Sequence, residues 1–422
     1  MYRLYSVGLS IAFGLQLPRA LAQAAAHGKY RAGLGERLGR YRLPPLGAPP
    51  VWLHAVSVGE VVAAVPLARA LRAAAPARPL VVSTVTDTGR AVARERIPEA
   101  AATVFFPLDF AFAARRALAG VRPRAVLLAE TEIWPNFLRA CRARGVPVAV
   151  VNGRISPRSF RRYRLVRRPF ARVLADIACF GMQTAADAER IVALGAPAGR
   201  VHVTGNLKFD APAAAGPAAD ARALRRDLGL AEAGAVLLAG STHRGEEEAV
   251  LEAFARLRAA RPGLALVLVP RHPERCGEVE ALARGWGLAV ARRSRGAAPA
   301  GTPVLLVDTV GELGRLYAAA DVAFVGGSLA PVGGHNVLEA AAAGTPIVVG
   351  PHMENFAEIA AAFADAGAMI TAAGAADLGR ALGQLLDDPA AMRDLAARAR
   401  AVIGAHRGAT GRTLELLAPL LE

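Results

Sequence analysis

Short runs rich in β-branched and aliphatic residues alternate with Ala-rich segments of helical length through most of this chain, and that alternation limits its fold more than any other feature. Candidate strands occupy 51–56, 80–85, 103–106, 124–129 and 146–151, each followed by a stretch that reads as a helix. Strands separated by helices pair in parallel, and the helices cover both faces of the sheet. A second series follows at 235–239, 264–269, 303–307, 321–325 and 346–350, after a Pro/Ala/Gly-rich stretch at 211–219 that reads as a hinge. A chain of 422 residues exceeds what one core usually organises. The expectation is an α/β protein with two doubly wound, Rossmann-like domains facing a cleft. Its parts are an N-terminal segment at 1–22, a first domain at 23–210, the hinge, and a second domain at 220–422.

Charge is divided unevenly between the halves. Residues 1–205 hold 30 Lys and Arg against 11 Asp and Glu, whereas the remainder holds 21 against 24, so the first half carries the whole net excess of +16. A basic field on one domain suits an anionic partner such as phospholipid, a phosphorylated glycolipid or nucleic acid. The densest run, 156–173, contains seven arginines and reads equally as a solvated helix face. No zinc finger, RNP aromatic pattern or helix-turn-helix signal accompanies it, which argues against nucleic acid.

From Leu4 to Pro18 the chain has no charged residue. As a helix these residues reach about 22 Å, short of a bilayer core of about 30 Å. The segment is expected to anchor, with spanning left open, and a secretory signal peptide is the competing reading. Lys29, Arg31, Arg37, Arg40 and Arg42 follow it, a pattern suited to the cytoplasmic face of an inner (plasma) membrane. Cys141, Cys179 and Cys276 are odd in number and far apart, which argues against a disulfide framework or a thiolate metal site, and the histidines lack ligand spacing.

In open parallel sheets ligands bind beyond the carboxyl ends of strands. Polar residues fall there in both halves: Glu60, Glu130, Glu132, Asn152 and Arg154 in the first, and Ser241 to His243, Arg271, His272 and Asp308 to Glu312 in the second. Residues 333–346, GGHNVLEAAAAGTP, combine a glycine pair, Asn336 placed to cap a small-residue helix, and Glu339 placed one turn into it. Helix N-terminal amides favour a phosphate and a carboxylate favours ribose hydroxyls, so the stretch reads as a nucleotide-sugar grip; its plain structural reading is a glycine-rich strand-to-helix turn. Lys208 is one of only two lysines beside 49 arginines, which suggests a point charge that a planar fork would not replace.

The ordered motifs HAVSVGE, STVTDTG, ETEIWPN, NGRIS, GNLKFD, GSTHRGEEE, LVPRHPER, VDTVGELGRLYAAADVAFVGGSL and GGHNVLEA, within residues 29 to about 360, closely resemble the 3-deoxy-D-manno-octulosonic acid (Kdo) transferases of lipopolysaccharide synthesis. The resemblance implies a GT-B fold, CMP-Kdo as donor, and a lipid A precursor, lipid IVA, as acceptor at the inner membrane. It further implies Glu60 as general base in an inverting transfer, and Glu130 and Lys208 as transition-state stabilisers. Pro270 and Arg271 would hold the CMP phosphate, Val310, Gly311 and Glu312 would line the cytidine pocket, and Asn336, Val337, Leu338 and Glu339 would hold phosphate and ribose. No Asp-x-Asp pair stands where it could carry a cation to a diphosphate, so metal-independent transfer without a cofactor is expected. Alternatives are a UDP-sugar transferase of the same fold acting on a lipid-linked acceptor, a sugar-nucleotide epimerase, and a membrane-bound nucleotide-binding scaffold.

Overall fold

The computed structural model describes residues 2–27, 33–211 and 220–422. Lys29, Arg31 and nearly all of the expected hinge lie outside them. The chain divides into two compact units, Met1–Ala211 with His406–Glu422, and Pro212–Ala405.

Among the described residues of the first unit the sheet has seven strands: β1 (Val51–His54), β2 (Leu80–Thr84), β3 (Ala102–Phe105), β4 (Ala125–Ala129), β5 (Val148–Gly153), β6 (Cys179–Met182) and β7 (Val201–Val203). Their order is β3-β2-β1-β4-β5-β6-β7, every pair parallel. Strands β1 to β5 fall on the expected runs; β6 and β7 extend the sheet beyond them. Alternate residues feed opposite cores, which is why the runs are apolar throughout. Trp52, Val126, Leu128 and Val150 pack with Phe106 and Phe137 on one side, while Leu53, Leu127 and Val151 pack with Val61 and Leu67 of the helix Val58–Ala74 on the other. Helices start where Ser57, Thr86 and Thr184 accept from the amides of Glu60, Gly89 and Asp187.

The last helix, Ala409–Leu421, returns to this unit. Asp210 accepts from the amides of Gly408 (2.8 Å) and Thr410 (2.6 Å), Arg412 donates to the Thr204 carbonyl at 2.9 Å, and Leu417 enters the core beside Val61. The second unit therefore ends at Ala405, whereas the division read from sequence carries it to 422.

The N-terminal segment is one helix, Tyr2–His27. Tyr2 donates to Asp176 at 2.9 Å, Asn136 donates to Ser6 Oγ at 3.0 Å, and Phe13 meets Phe110 edge-on. Leu4, Val7, Ile11 and Leu15 are exposed. Among the described residues no helix is long and apolar enough to cross a membrane.

In the second unit the described strands are β8 (Ala235–Thr242), β9 (Leu264–Pro270), β10 (Val290–Arg292), β11 (Val304–Leu306), β12 (Val322–Val325), β13 (Ile347–Val349) and β14 (Ile370–Thr371). They form a parallel sheet in the order β10-β11-β9-β8-β12-β13-β14. Here β10 and β14 are the strands outside the expected series. Leu237, Leu266, Leu268, Val304 and Phe324 make one core with Val250 and Phe254 of the helix Glu246–Ala260. The three cysteines are buried and free. In both sheets the order in which successive strands are added reverses near the centre, between β1 and β4 in one and between β8 and β12 in the other, and such switch points open a crevice beyond the strand ends.

Candidate active site

In the first unit the switch point collects carboxylates. Glu60 lies in the first turn of the helix that follows β1, and Glu130 and Glu132 follow β4. The Glu60 carboxylate accepts from the Val56 amide at 2.8 Å and from the Ser57 hydroxyl at 3.0 Å, while its own amide donates to Ser57 Oγ at 3.4 Å. This is a reciprocal cap of the helix N-terminus, and it fixes the carboxylate in one orientation. Burial raises the Glu60 carboxyl above the ordinary range, aided by the nearby Glu130 charge and opposed by the Val56 and Ser57 donors. Burial, then Glu60 and Glu130, push Glu132 up to about 7. Three carboxylates that close cannot all ionise freely. Lys208 supplies the counter-charge, its Nζ 3.7 Å from Glu130 Oε1, both side chains largely buried.

A buried amide ladder holds Lys208 there. Asn152, at the end of β5, accepts from the Leu207 amide at 2.9 Å and, through its carbonyl, from Gln183 Nε2 at 2.9 Å. Asn206 donates to Gln183 Oε1 at 3.2 Å and accepts from the Lys208 amide at 3.0 Å. Glu130 and Asn152 both adopt left-handed backbone, at φ 53° and 55°. Non-glycine residues take that conformation at a cost, and it concentrates where a side chain must be aimed. Gln183 and Asn206 carry this arrangement, and sequence reasoning gave them no role; Asn206 within GNLKFD was the available signal.

The second unit presents a different surface at its switch point. Pro270 ends β9, and the Arg271 amide donates to the Thr242 carbonyl at 2.9 Å, leaving the guanidinium exposed. Val310 is 84% exposed in a loop whose Gly311 has φ 88°, so an apolar side chain is offered to solvent beside left-handed backbone. Glu312 pairs with Arg293 at 3.3 Å and Arg315 at 3.7 Å, which commits much of its carboxylate to structure. Buried Glu246 accepts from five amides: His243 (2.9 Å), Gly327 (2.7 Å), Ser328 (2.9 Å), Leu329 (2.8 Å) and Ala330 (3.2 Å). It ties the loop after β12 to the helix after β8. Sequence reasoning passed over it, because a GEEE run reads as ordinary acidic residues at a helix start.

Two details of the glycine-rich stretch differ from expectation. The helix spans Leu338–Ala343, only six residues, and its N-cap position is Val337; Asn336 still accepts from the Leu338 amide at 3.1 Å, one position early. Glu339 is therefore the second helical residue and not one turn in. Its charge, after burial, helps raise the Tyr317 phenol. Ser241 and Thr242 belong to β8 and do not follow it. Among the described residues no three His, Cys, Asp or Glu side chains converge in a manner that could hold a metal ion.

Residues 32–211 match the family model described as 3-deoxy-D-manno-octulosonic-acid transferase (kdotransferase), and 243–402 match that of glycosyl transferases group 1. The chain is 43% identical over 413 residues to the 3-deoxy-D-manno-octulosonic acid transferase of Bordetella pertussis, covering 93% of this chain and 92% of that protein. It is 35% identical over 404 residues to the enzyme of that description from Haemophilus influenzae, with the same coverage of 93% and 92%. Among solved structures it is similar to UDP-GlcNAc 2-epimerase from Neisseria meningitidis bound to UDP-GlcNAc, with TM-score 0.59 and 14% identity over 88% of this chain and 100% of that one. That likeness speaks for the fold alone, which is α/β and GT-B-like with two parallel seven-stranded sheets.

Proposed function

This chain belongs to the 3-deoxy-D-manno-octulosonic acid (Kdo) transferase family, and from that premise we propose how its residues divide the work of moving Kdo from CMP-Kdo to a lipid A acceptor. It is a glycosyltransferase of lipopolysaccharide biosynthesis. An acceptor hydroxyl of lipid IVA attacks the anomeric carbon, the bond from that carbon to the phosphate oxygen breaks, and CMP departs with the electron pair. Glu60 takes the hydroxyl proton, and attack opposite the leaving group inverts the centre. Lys208 offsets negative charge at the departing phosphate, and Glu130 orients Lys208 and favours the oxocarbenium-like sugar. The observation that carries this reading is the placement of Glu60, Glu130 and Lys208 at one switch point, with Lys208 3.7 Å from Glu130. Mass spectrometry of the product from purified protein, CMP-Kdo generated in place and a tetra-acylated disaccharide bisphosphate tests it. Absence of a Kdo-bearing product would overturn it.

Pro270 and Arg271 hold the phosphate in this reading, Val310, Gly311 and Glu312 border the cytidine, and Asn336 to Glu339 reach phosphate and ribose. Arg271→Ala or Glu339→Ala is expected to weaken CMP binding by about 1.5–3 kcal/mol, the loss of one charge-assisted contact. Wild-type affinity for both variants in titration calorimetry would move the site elsewhere.

The acceptor is anchored in a membrane, and we place the enzyme at the cytoplasmic face of the inner membrane. Support comes from the basic first half and from two exposed apolar patches. One is Leu4, Val7, Ile11 and Leu15 on the N-terminal helix; the other is Leu165 with Val166, at the junction of the Arg-rich helices Pro157–Leu165 and Arg167–Leu174. Arginines around an apolar tip suit anionic headgroups over acyl chains. Full-length protein is expected to cosediment with anionic vesicles even in high salt, whereas a variant with those four N-terminal residues changed to Ser binds only at low salt, since screening removes the ionic part alone. Equal release of both proteins by salt would remove the apolar contribution.

A further inference from the structure

Beyond the residues already assigned, two imidazoles meet at the switch point of the second unit. His243 is the first residue after β8, and His335 lies in the loop after β12. Their Nε2 atoms are 2.9 Å apart, with rings nearly parallel at 9° and centroids 5.2 Å apart. A contact of that length between ring nitrogens requires one to carry hydrogen and the other a lone pair. A doubly charged pair would aim two N–H groups at each other, so the pair has one accessible protonation step, from neutral to singly charged.

The surroundings hold the pair in place, and the carboxylates nearest it make their hydrogen bonds elsewhere. Glu246 accepts from the His243 amide and from the Gly327 amide, and the His335 ring covers Gly327, where a Cβ would fall 2.7 Å from the ring. Gly334 donates to the Gly327 carbonyl at 2.7 Å, closing the loop against the same point. The charged and titratable groups facing the pair are Arg271 and His272 beyond β9, with Glu246 and Glu247 on the helix behind; His272 sits edge-on to His243 at 5.6 Å. Both carboxylates are committed, Glu246 to five amides and Glu247 to Arg275 at 2.9 Å. Burial, then the neighbouring His243, Arg271 and His272, lower His335 to about 4; burial chiefly lowers His243 as well.

We propose that the His243–His335 pair contacts the phosphate of the nucleotide donor and takes up one proton from solvent when that anion binds. The inference rests on the donor reading given above and adds two binding residues to it. The consequence for the reaction is electrostatic. The donor phosphodiester bears one negative charge and the released monophosphate gains a second, while the acceptor proton goes to Glu60. A pair that is already singly charged meets the charge arising on the leaving group, and it surrenders its proton to solvent only when CMP leaves.

Titration calorimetry of CMP with full-length protein at pH 7.5, in buffers of different ionisation heat, reads the protons taken up. CMP's own phosphate contributes equally in every protein. Wild type is expected to take up about one proton more than His243→Gln or His335→Gln, and its affinity to fall roughly tenfold more than theirs per pH unit between the protonation range of the free pair and that of the bound pair. His272→Gln is expected to keep the wild-type uptake. Two separate variants guard against one failing to fold, which circular dichroism checks. Equal uptake in wild type and in both pair variants, with CMP bound by all three, overturns this proposal and leaves the donor reading intact. Loss of uptake in His272→Gln alone overturns it too. Failure of wild type to bind CMP overturns the donor reading and the proposal with it.

Discussion

Replacing Glu60 by Gln is expected to lower turnover by about 100-fold or more while leaving CMP affinity and thermal stability near those of the wild type. Gln is the discriminating substitution because Glu60 has two roles to separate. Its carboxylate caps the helix Val58–Ala74 through Val56 and Ser57, and a Gln at that position can still accept from a backbone amide and close the cap. A structural role alone therefore survives the change; a base does not. Ser57→Ala is the converse control, which weakens the cap by about 1 kcal/mol and leaves the base. The acid side of the wild-type pH profile provides a second readout. Burial raises the Glu60 carboxyl, so the rate should fall as pH drops through a value above that of an ordinary glutamate, and this limb should vanish in Glu60→Gln. A near-normal rate in Glu60→Gln would remove it from the mechanism, and Glu132, held near 7 beside it, would become the carboxylate to examine.

What was legible in the sequence followed from burial on two faces. Strands flanked by helices above and below must be apolar along their whole length, so β1 to β5 and β8, β9, β11, β12 and β13 announce themselves. The strands that did not are short, and several lie at sheet edges where one side goes unpaired: β7 is Val201–Val203, β10 is Val290–Arg292 and β14 is Ile370–Thr371. Such strands borrow their order from a neighbour and need little apolar sequence of their own. The placement of Glu60, Glu130 and Arg271 was readable because strand ends are readable. The residues that aim them were not. Gln183 and Asn206 act across separations of 31 and 23 residues through amide hydrogen bonds that leave no periodic trace. Likewise the return of Ala409–Leu421 to the first unit depends on Asp210 meeting Gly408 nearly two hundred positions away.

Glu246→Ala is expected to cost the second unit about 3 kcal/mol or more in urea unfolding. The reason is the imbalance between making and losing buried hydrogen bonds. Five amides, on His243 and on Gly327 to Ala330, donate to one carboxylate that solvent scarcely reaches. Removing the acceptor leaves all five donors without a partner in a site too buried to be rehydrated without opening the loop. Glu246→Gln should be intermediate, since one oxygen remains while the new NH₂ faces donors it cannot accept from. Glu248→Ala supplies the scale of an exposed position, where only the Gly245 amide loses its partner. Function should follow stability here for a structural reason: the loop tied by Glu246 carries Gly327, on which His335 rests, so Glu246→Gln that remains folded should weaken CMP binding by raising the dissociation rate more than it slows association. If Glu246→Ala unfolded at the wild-type urea midpoint, the five contacts would not hold the loop in solution, and the positions argued for His243 and His335 would lose their support together.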